Sequence, residues 1–317
     1  MRGIRSNPGA LSGFTLLELL VSISVLAVLG GLVSQLMSST SRLTSNSKQS
    51  SECDTEARYA LGQLSSDISR RVRRPDVDAL VKKTAGNDEF FLFSETAGYA
   101  PNLSGAGSAN RSTVSLVGYR VQAVTKGGLT LMELQRYARA LPWTSTGDDK
   151  SLPFVVLTGS PPAPLPSSTL GGTDGKGSGG SFSTAVSGDT SENLYFQPIA
   201  QNVVRFEISV LLKPDMSDPR APIPARLLSD SEIPAELSKN GLSNIASIIF
   251  SLAILDAQSA AKTNQQDIDK LDLDDSGPTD FPLYPAEKWN EKFKKNVSSM
   301  PPHIAAGLHF YQRVISL

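Results

Sequence analysis

The chain has a single cysteine, Cys53, and only two histidines, His303 and His309. One thiol excludes an intrachain disulfide, a multi-cysteine zinc site and CxxC redox chemistry. Two histidines leave little for a histidine-built metal centre. Charge is also scarce, at 19% of the 317 residues, against roughly 25% in an average globular domain. The 30 Lys and Arg nearly cancel the 31 Asp and Glu, so the net charge of −1 carries no global footprint for nucleic acid. The sequence lacks a GxSxG elbow, an HExxH pair and a P-loop, and no catalytic residue is assigned. Proline is absent between Pro8 and Pro75, which leaves room for one long uninterrupted helix.

What is present is concentrated at the N-terminus. A leader with Arg2, Arg5 and no acid ends at Gly13, and residues 14–37 are almost continuously apolar. As a helix, about 24 residues span about 36 Å, enough to cross a hydrocarbon core of about 30 Å. A plain signal peptide or signal anchor would suffice to explain such a run, with the arginines kept on the cytoplasmic side. Glu18 does not fit that explanation. A carboxylate inside the apolar run costs a few kcal/mol on insertion scales and marks a functional position by default. No Lys or Arg lies between Arg5 and Arg42 to neutralise it. Cleavage between Gly13 and Phe14 would create an α-amino group one helical turn away, in this subunit or a neighbour.

The segment Gly13-Phe14-Thr15-Leu16-Leu17-Glu18-Leu19-Leu20-Val21 resembles the prepilin, or class III, signal of type IV pilins and type II secretion pseudopilins. The resemblance implies cleavage after Gly13 by prepilin peptidase and methylation of Phe14. It also implies that Glu18 neutralises a neighbouring N-terminus during filament assembly. The implied partners are that peptidase, other pilin-like subunits, an inner-membrane assembly platform and membrane lipid; the charge balance separately leads us to expect no nucleic acid. The implied place is a single-pass inner-membrane protein whose N-terminus is cytoplasmic before processing and whose head is periplasmic.

Beyond the apolar run, Ala57, Ala60, Leu61, Leu64, Ile68 and Val72 recur at spacings of three and four, with Arg58, Asp67, Arg70, Arg71 and Arg73 mostly between them. This is an amphipathic helix that lays one stripe on a core. Residues 38–51 are rich in Ser, Thr and Asn, which predicts a kink or looser turn there. Cys53, near the packing face, is expected to be a buried, inert thiol.

After Pro75 the period becomes strand-like. Residues 90–93, 111–124, 128–137 and 153–157 read as strands, with the second and third joined at Lys126-Gly127-Gly128. Residues 202–212, with Val204, Phe206, Ile208 and Val210 on one face, and residues 244–256 read as two further strands. Five prolines between 213 and 239 predict a long irregular connection, and residues 258–271 and 286–295 predict short surface helices. The expected fold is α+β, a long N-terminal α-helix packed on an antiparallel β-sheet head, pilin-like. The expected parts are leader 1–13, membrane helix 14–37, amphipathic helix 38–74, first head part 75–158, a flexible Gly/Ser/Pro-rich insertion 159–192, and second head part 193–317. Within the head, residues 117–122, 131–137 and 203–212 resemble strand segments of minor pseudopilin J-like proteins and, more closely, verrucomicrobial cassette pilin-like proteins.

Two further clusters have bland explanations. Asp272, Asp274 and Asp280 fall at positions 1, 3 and 9 of a calcium-type loop, but Leu283 stands where the bidentate Glu belongs, so they read as a solvated acidic loop with calcium a weak second option. Arg70, Arg71, Arg73 and Arg74 sit among Asp67, Asp76 and Asp78, which suits a helix terminus better than DNA. A membrane-anchored periplasmic enzyme or ligand-binding protein is the alternative function. It would need a pocket with convergent polar groups.

Overall fold

The computed structural model describes residues 15–72, 79–84, 86–98, 114–126, 129–140, 195–214, 225–240, 242–264, 267–268, 271, 273 and 284–317. The chain divides into two units, Met1–Ser50 and Ser51–Leu317. One α-helix, α1 (Leu16–Ser69), begins in the first and ends in the second. No break interrupts it at residues 38–51, contrary to the expectation from composition. The hydroxyls of Thr40 and Thr44 donate to the carbonyls of Leu36 and Thr40, one turn back, so they do not pull the backbone out of the helix.

The second unit contains two antiparallel sheets. The larger has the order β1 (Leu80–Lys82), β2 (Glu89–Ser94), β3 (Ser115–Lys126), β4 (Leu129–Ala140), β5 (Phe196–Gln201). Lys126 and Leu129 pair across the expected hairpin. The smaller has the order β6 (Val203–Leu212), β7 (Ile245–Leu255), β8 (Leu308–Ser316). The fold is therefore α+β, with a long N-terminal helix whose later part packs on antiparallel sheets.

The main core joins one stripe of α1, formed by Cys53, Ala57, Ala60, Leu61, Leu64 and Ile68, to both sheets through residues such as Phe90, Tyr119, Phe206 and Phe250. The larger sheet is buried on both sides: Phe91, Phe93, Leu116 and Tyr137 form a separate cluster opposite the helix. Gly118 is required there because a Cβ would overlap the Phe91 ring. In one strand, β6, the faces depart from the sequence reading: Val204 turns away from Phe206, Ile208 and Val210. A register shift between Val203 and Arg205 inserts one residue and puts Val203 on the main core face instead.

Within the region expected to be irregular lies α2 (Glu232–Asn240). Ser229 donates its N–H and hydroxyl to Glu232, at 2.9 and 2.8 Å, and its carbonyl accepts from Glu232 and Ile233. Pro234 is tolerated because it sits in the first turn. The C-terminal part adds α3 (Ala257–Ala260), α4 (Pro285–Asn296), α5 (Pro302–Gly307) and the final strand β8. α4 is more than a surface helix, since its Trp289 is fully buried.

Candidate functional site at the start of the long helix

From Leu16 to Met37 the large apolar side chains of α1 face outward on every side, each between 53% and 85% exposed. By length and composition this is the one helix among the described residues able to cross a membrane. Ser22 and Ser24 do not interrupt it, because each donates to a carbonyl four residues back at 2.8 Å. Glu18 is the sole ionisable group in the stretch.

The helix starts with a reciprocal arrangement. The Glu18 N–H donates to the Thr15 hydroxyl at 3.3 Å, and the Glu18 carboxylate accepts from the Thr15 N–H and hydroxyl at 3.5 Å each. This is a loose capping box, T-x-x-E, that satisfies donors at the helix end and places a negative charge at the positive end of the macrodipole. The T-x-x-E spacing of Thr15 and Glu18 is a sequence signal for this arrangement. It gives Glu18 a local task while leaving the carboxylate exposed to a cationic partner. Gly13 and Phe14, the expected processing positions, lie outside the described residues.

Two buried ionic clusters in the second unit are the opposite case. Asp67 lies within the buried stripe of α1 and is fully buried, not on the polar face where the sequence reading put it. Arg136 of β4 grips it bidentately, Nε to Oδ2 at 2.6 Å and Nη2 to Oδ1 at 3.0 Å, and Tyr119 of β3 donates its hydroxyl to Oδ2. Burial, then the charge of Asp67, pushes the Tyr119 hydroxyl well above its ordinary value, so it stays a donor. Asp67 therefore does not offset the arginines at the helix end. Its position three residues after Leu64 and seven after Ala60 places it on the stripe, a count that would have found it.

The second cluster joins the sheets. Lys83, just after β1, points its ammonium at Asp88 (2.6 Å), Glu207, Asp230 (3.0 Å) and the Ile208 carbonyl (3.0 Å). Arg205 holds the other Glu207 oxygen, Nη2 to Oε2 at 2.8 Å. Burial raises Glu207 to about 7 despite the neighbouring Lys83, while Glu207 and Asp88 together keep Lys83 above its ordinary value against the effect of burial. Asn87 and Asp88 accept from the N–H groups of Phe206 and Ile208 at 2.6 and 2.8 Å, so the β1–β2 connection substitutes for a strand beside β6. No sequence signal pointed to this cluster, because Lys83 and Glu207 are 124 residues apart.

Both clusters pair their charged groups with one another. Ser259, Asp256 and His303 supply triad residue types, but the Ser259 hydroxyl donates to Asp256 Oδ2 and to the His303 carbonyl, each at 2.8 Å. The His303 ring takes no part, and His309 lies on β8 beside the Tyr311 ring. Cys53 is 6% exposed, and burial, then nearby carboxylates led by Asp256, pushes its thiol up to about 11. Among the described residues no group of three or more His, Cys, Asp or Glu is placed to hold a metal ion. The calcium-loop residues Asp272, Asp274 and Asp280 lie outside the described residues. Comparison with protein-family models, with curated proteins and with solved structures returns no match. What the chain shows is thus a long N-terminal apolar helix, able by length and composition to span a membrane, over antiparallel sheets, an architecture compatible with a pilin-like fold.

Proposed function

We propose that this chain is a prepilin-like structural subunit, of the minor pseudopilin kind, that works by assembly. Prepilin peptidase cleaves after Gly13 and methylates Phe14. The apolar half of α1 then holds the subunit in the inner membrane, and the head lies in the periplasm. Helices of pilin-like subunits, brought together on an inner-membrane assembly platform, pack into a type II secretion pseudopilus or a type IV pilus-like filament. The observation that carries this reading is Glu18, the lone carboxylate in the helical stretch from Leu16 to Met37, whose large apolar side chains are exposed all round. Lipid covers such a surface but gives a carboxylate nothing to pair with, whereas a neighbouring N-terminal amine does. Its cost in the bilayer is offset only in the assembled state, which makes the charge a register device.

Mass spectrometry of the mature N-terminus tests the processing step. The expected result is N-methyl-phenylalanine at residue 14. An intact Met1, or a cut near Ser34 of the kind a signal peptidase makes, would refute it. Co-assembly of Glu18→Gln with partner subunits tests the pairing step, and undiminished assembly would remove the proposed role of the charge.

A further inference from the structure

The sheet edges of the second unit are guarded unequally. β1 is only three residues long, and β5 carries Pro198 beside a break in its register. The outer edge of β6 is occupied by Asn87 and Asp88 at one end and by Arg226 and Leu228 at the other, which bond to Leu212 and Val210. β8 has none of these devices. It is the nine-residue edge of the smaller sheet, without proline and with Arg313 as its one fully charged residue, and among the described residues no strand pairs with its outer side. An edge of that length is a template for another strand.

The hydrogen bonds at its two ends determine which groups it offers. Leu317 N–H donates to the Ala246 carbonyl at 3.0 Å, and Asp256 N–H donates to the Gly307 carbonyl at 2.9 Å. With Ser247 opposite Ser316 and Leu255 opposite Leu308, the odd-numbered positions of β8 are those bonded to β7. Leu308, Phe310, Gln312, Val314 and Ser316 therefore turn their N–H and C=O groups outward. Two further observations fall on the same positions. Val314 is 46% exposed, the one large apolar side chain on a strand so exposed among the described residues. Gln312 Oε1 is buried without a hydrogen-bond partner, as is the hydroxyl of Ser251 directly across the strand pair.

We propose that β8 pairs antiparallel with β8 of a second copy of this chain, with Gln312 on the twofold axis, so that the two smaller sheets become one continuous sheet. The strand is self-complementary in that register. Gln312 is the central residue of Leu308–Ser316, so full overlap sets it against itself. Phe310, whose ring packs on Trp289 and Phe293 of α4, then lies opposite Val314 of the second copy, and Tyr311 lies opposite Arg313. All outward N–H and C=O groups find partners, because the outward positions pair only with one another. The contact uses the head and does not depend on the function proposed for Glu18.

The full-length protein in detergent micelles tests this by sedimentation equilibrium and by cysteine crosslinking. The expected species is a dimer, and Val314→Lys, which places a charge on the edge without touching the β7 ladder, should weaken it at least about tenfold with an unchanged unfolding midpoint. In a Cys53→Ala background, Gln312→Cys should form an intermolecular disulfide, because directly opposite residues of a hydrogen-bonded pair sit about 5.5 Å apart at Cα. Ser316→Cys should not, since the two copies of residue 316 would lie about 27 Å apart along the strands. A wild-type chain that stays monomeric, association that survives Val314→Lys, as helix-driven association would, or equal crosslinking at 312 and 316 overturns the proposal. The crosslinking pair decides the matter even if Val314→Lys unfolds.

Discussion

The first and last thirds of α1 share a backbone and differ in everything their side chains meet. Between Leu16 and Met37 the large apolar residues are exposed on all sides, and the one acid is exposed with them. Between Cys53 and Ile68 the apolar residues, the exposed Tyr59 apart, form a single stripe with Leu64 and Ile68 fully buried, and the one acid in that stripe, Asp67, is buried too. In the head segment the sequence period matches the helix period, so one face is committed to a core. In the apolar segment there is no polar face at all, which suits a medium apolar in every direction. The two acids repeat the contrast. Asp67 has both oxygens occupied by Arg136 and Tyr119, whereas among the described residues Glu18 has only its own capping box.

The largest test of that contrast is Asp67→Ala. It leaves Arg136 buried without its carboxylate and Tyr119 without an acceptor, and breaking one side of a buried pair costs about 3–5 kcal/mol. The expected outcome is a correspondingly lower denaturant midpoint by near-ultraviolet circular dichroism in detergent, while Glu18→Ala leaves the midpoint of the head unchanged. Equal effects would erase the distinction between the two acids. Truncation of apolar residues is next. Leu64→Ala should destabilise the head by about 3 kcal/mol through lost burial and the cavity left behind, whereas Leu26→Ala, 70% exposed, should cost the head less than about 0.5 kcal/mol.

A smaller effect sets the head apart by pH. Glu207 is raised from about 4.5 to about 7, so the folded head holds this proton more tightly than the unfolded chain. Its contribution to stability is complete below about 4.5 and is lost as pH rises through about 7. Urea titrations across that window should show stability falling by an amount on the order of 1–3 kcal/mol, with Lys83, Asp88, Arg205 and Asp230 as the charges facing the group. Glu207→Gln should flatten that part of the profile. An unchanged slope would show that Glu207 does not carry it.

The parts legible in the sequence were those with local causes. The stripe of α1, the hairpin at Lys126 and Leu129 and the two long strands β6 and β7 follow from periodicity and turn chemistry read over ten or so residues. What escaped reading has either a competing local signal or a distant partner. The prolines around α2 hid the Ser229–Glu232 start, and one extra residue at Val203–Arg205 reversed the face of Val204. Asp67 was periodic with the stripe, yet a charge is assigned to solvent until its Arg partner is known, and that partner lies 69 residues away. The Lys83 cluster has no local signature, since three distant segments supply it. At the candidate site both the position of Glu18 and its bond to Thr15 are legible, the latter as a T-x-x-E spacing.

That bond makes the last comparison the most discriminating, although its effect on stability is the smallest. Glu18 has two properties that a substitution to alanine removes together, a charge and a cap. Glutamine separates them, because a capping box accepts Glu or Gln at this position while only Glu can neutralise an amine. Loss of the cap should cost the helix about 0.5 kcal/mol, seen as slight fraying by hydrogen exchange at residues 15–19 in Glu18→Ala and not in Glu18→Gln. If Glu18 acts by charge in assembly, both variants should lose co-assembly with partner subunits by at least about tenfold. Retained assembly in Glu18→Gln, with loss in Glu18→Ala, would assign the residue to helix initiation and leave the membrane half of α1 without a register charge.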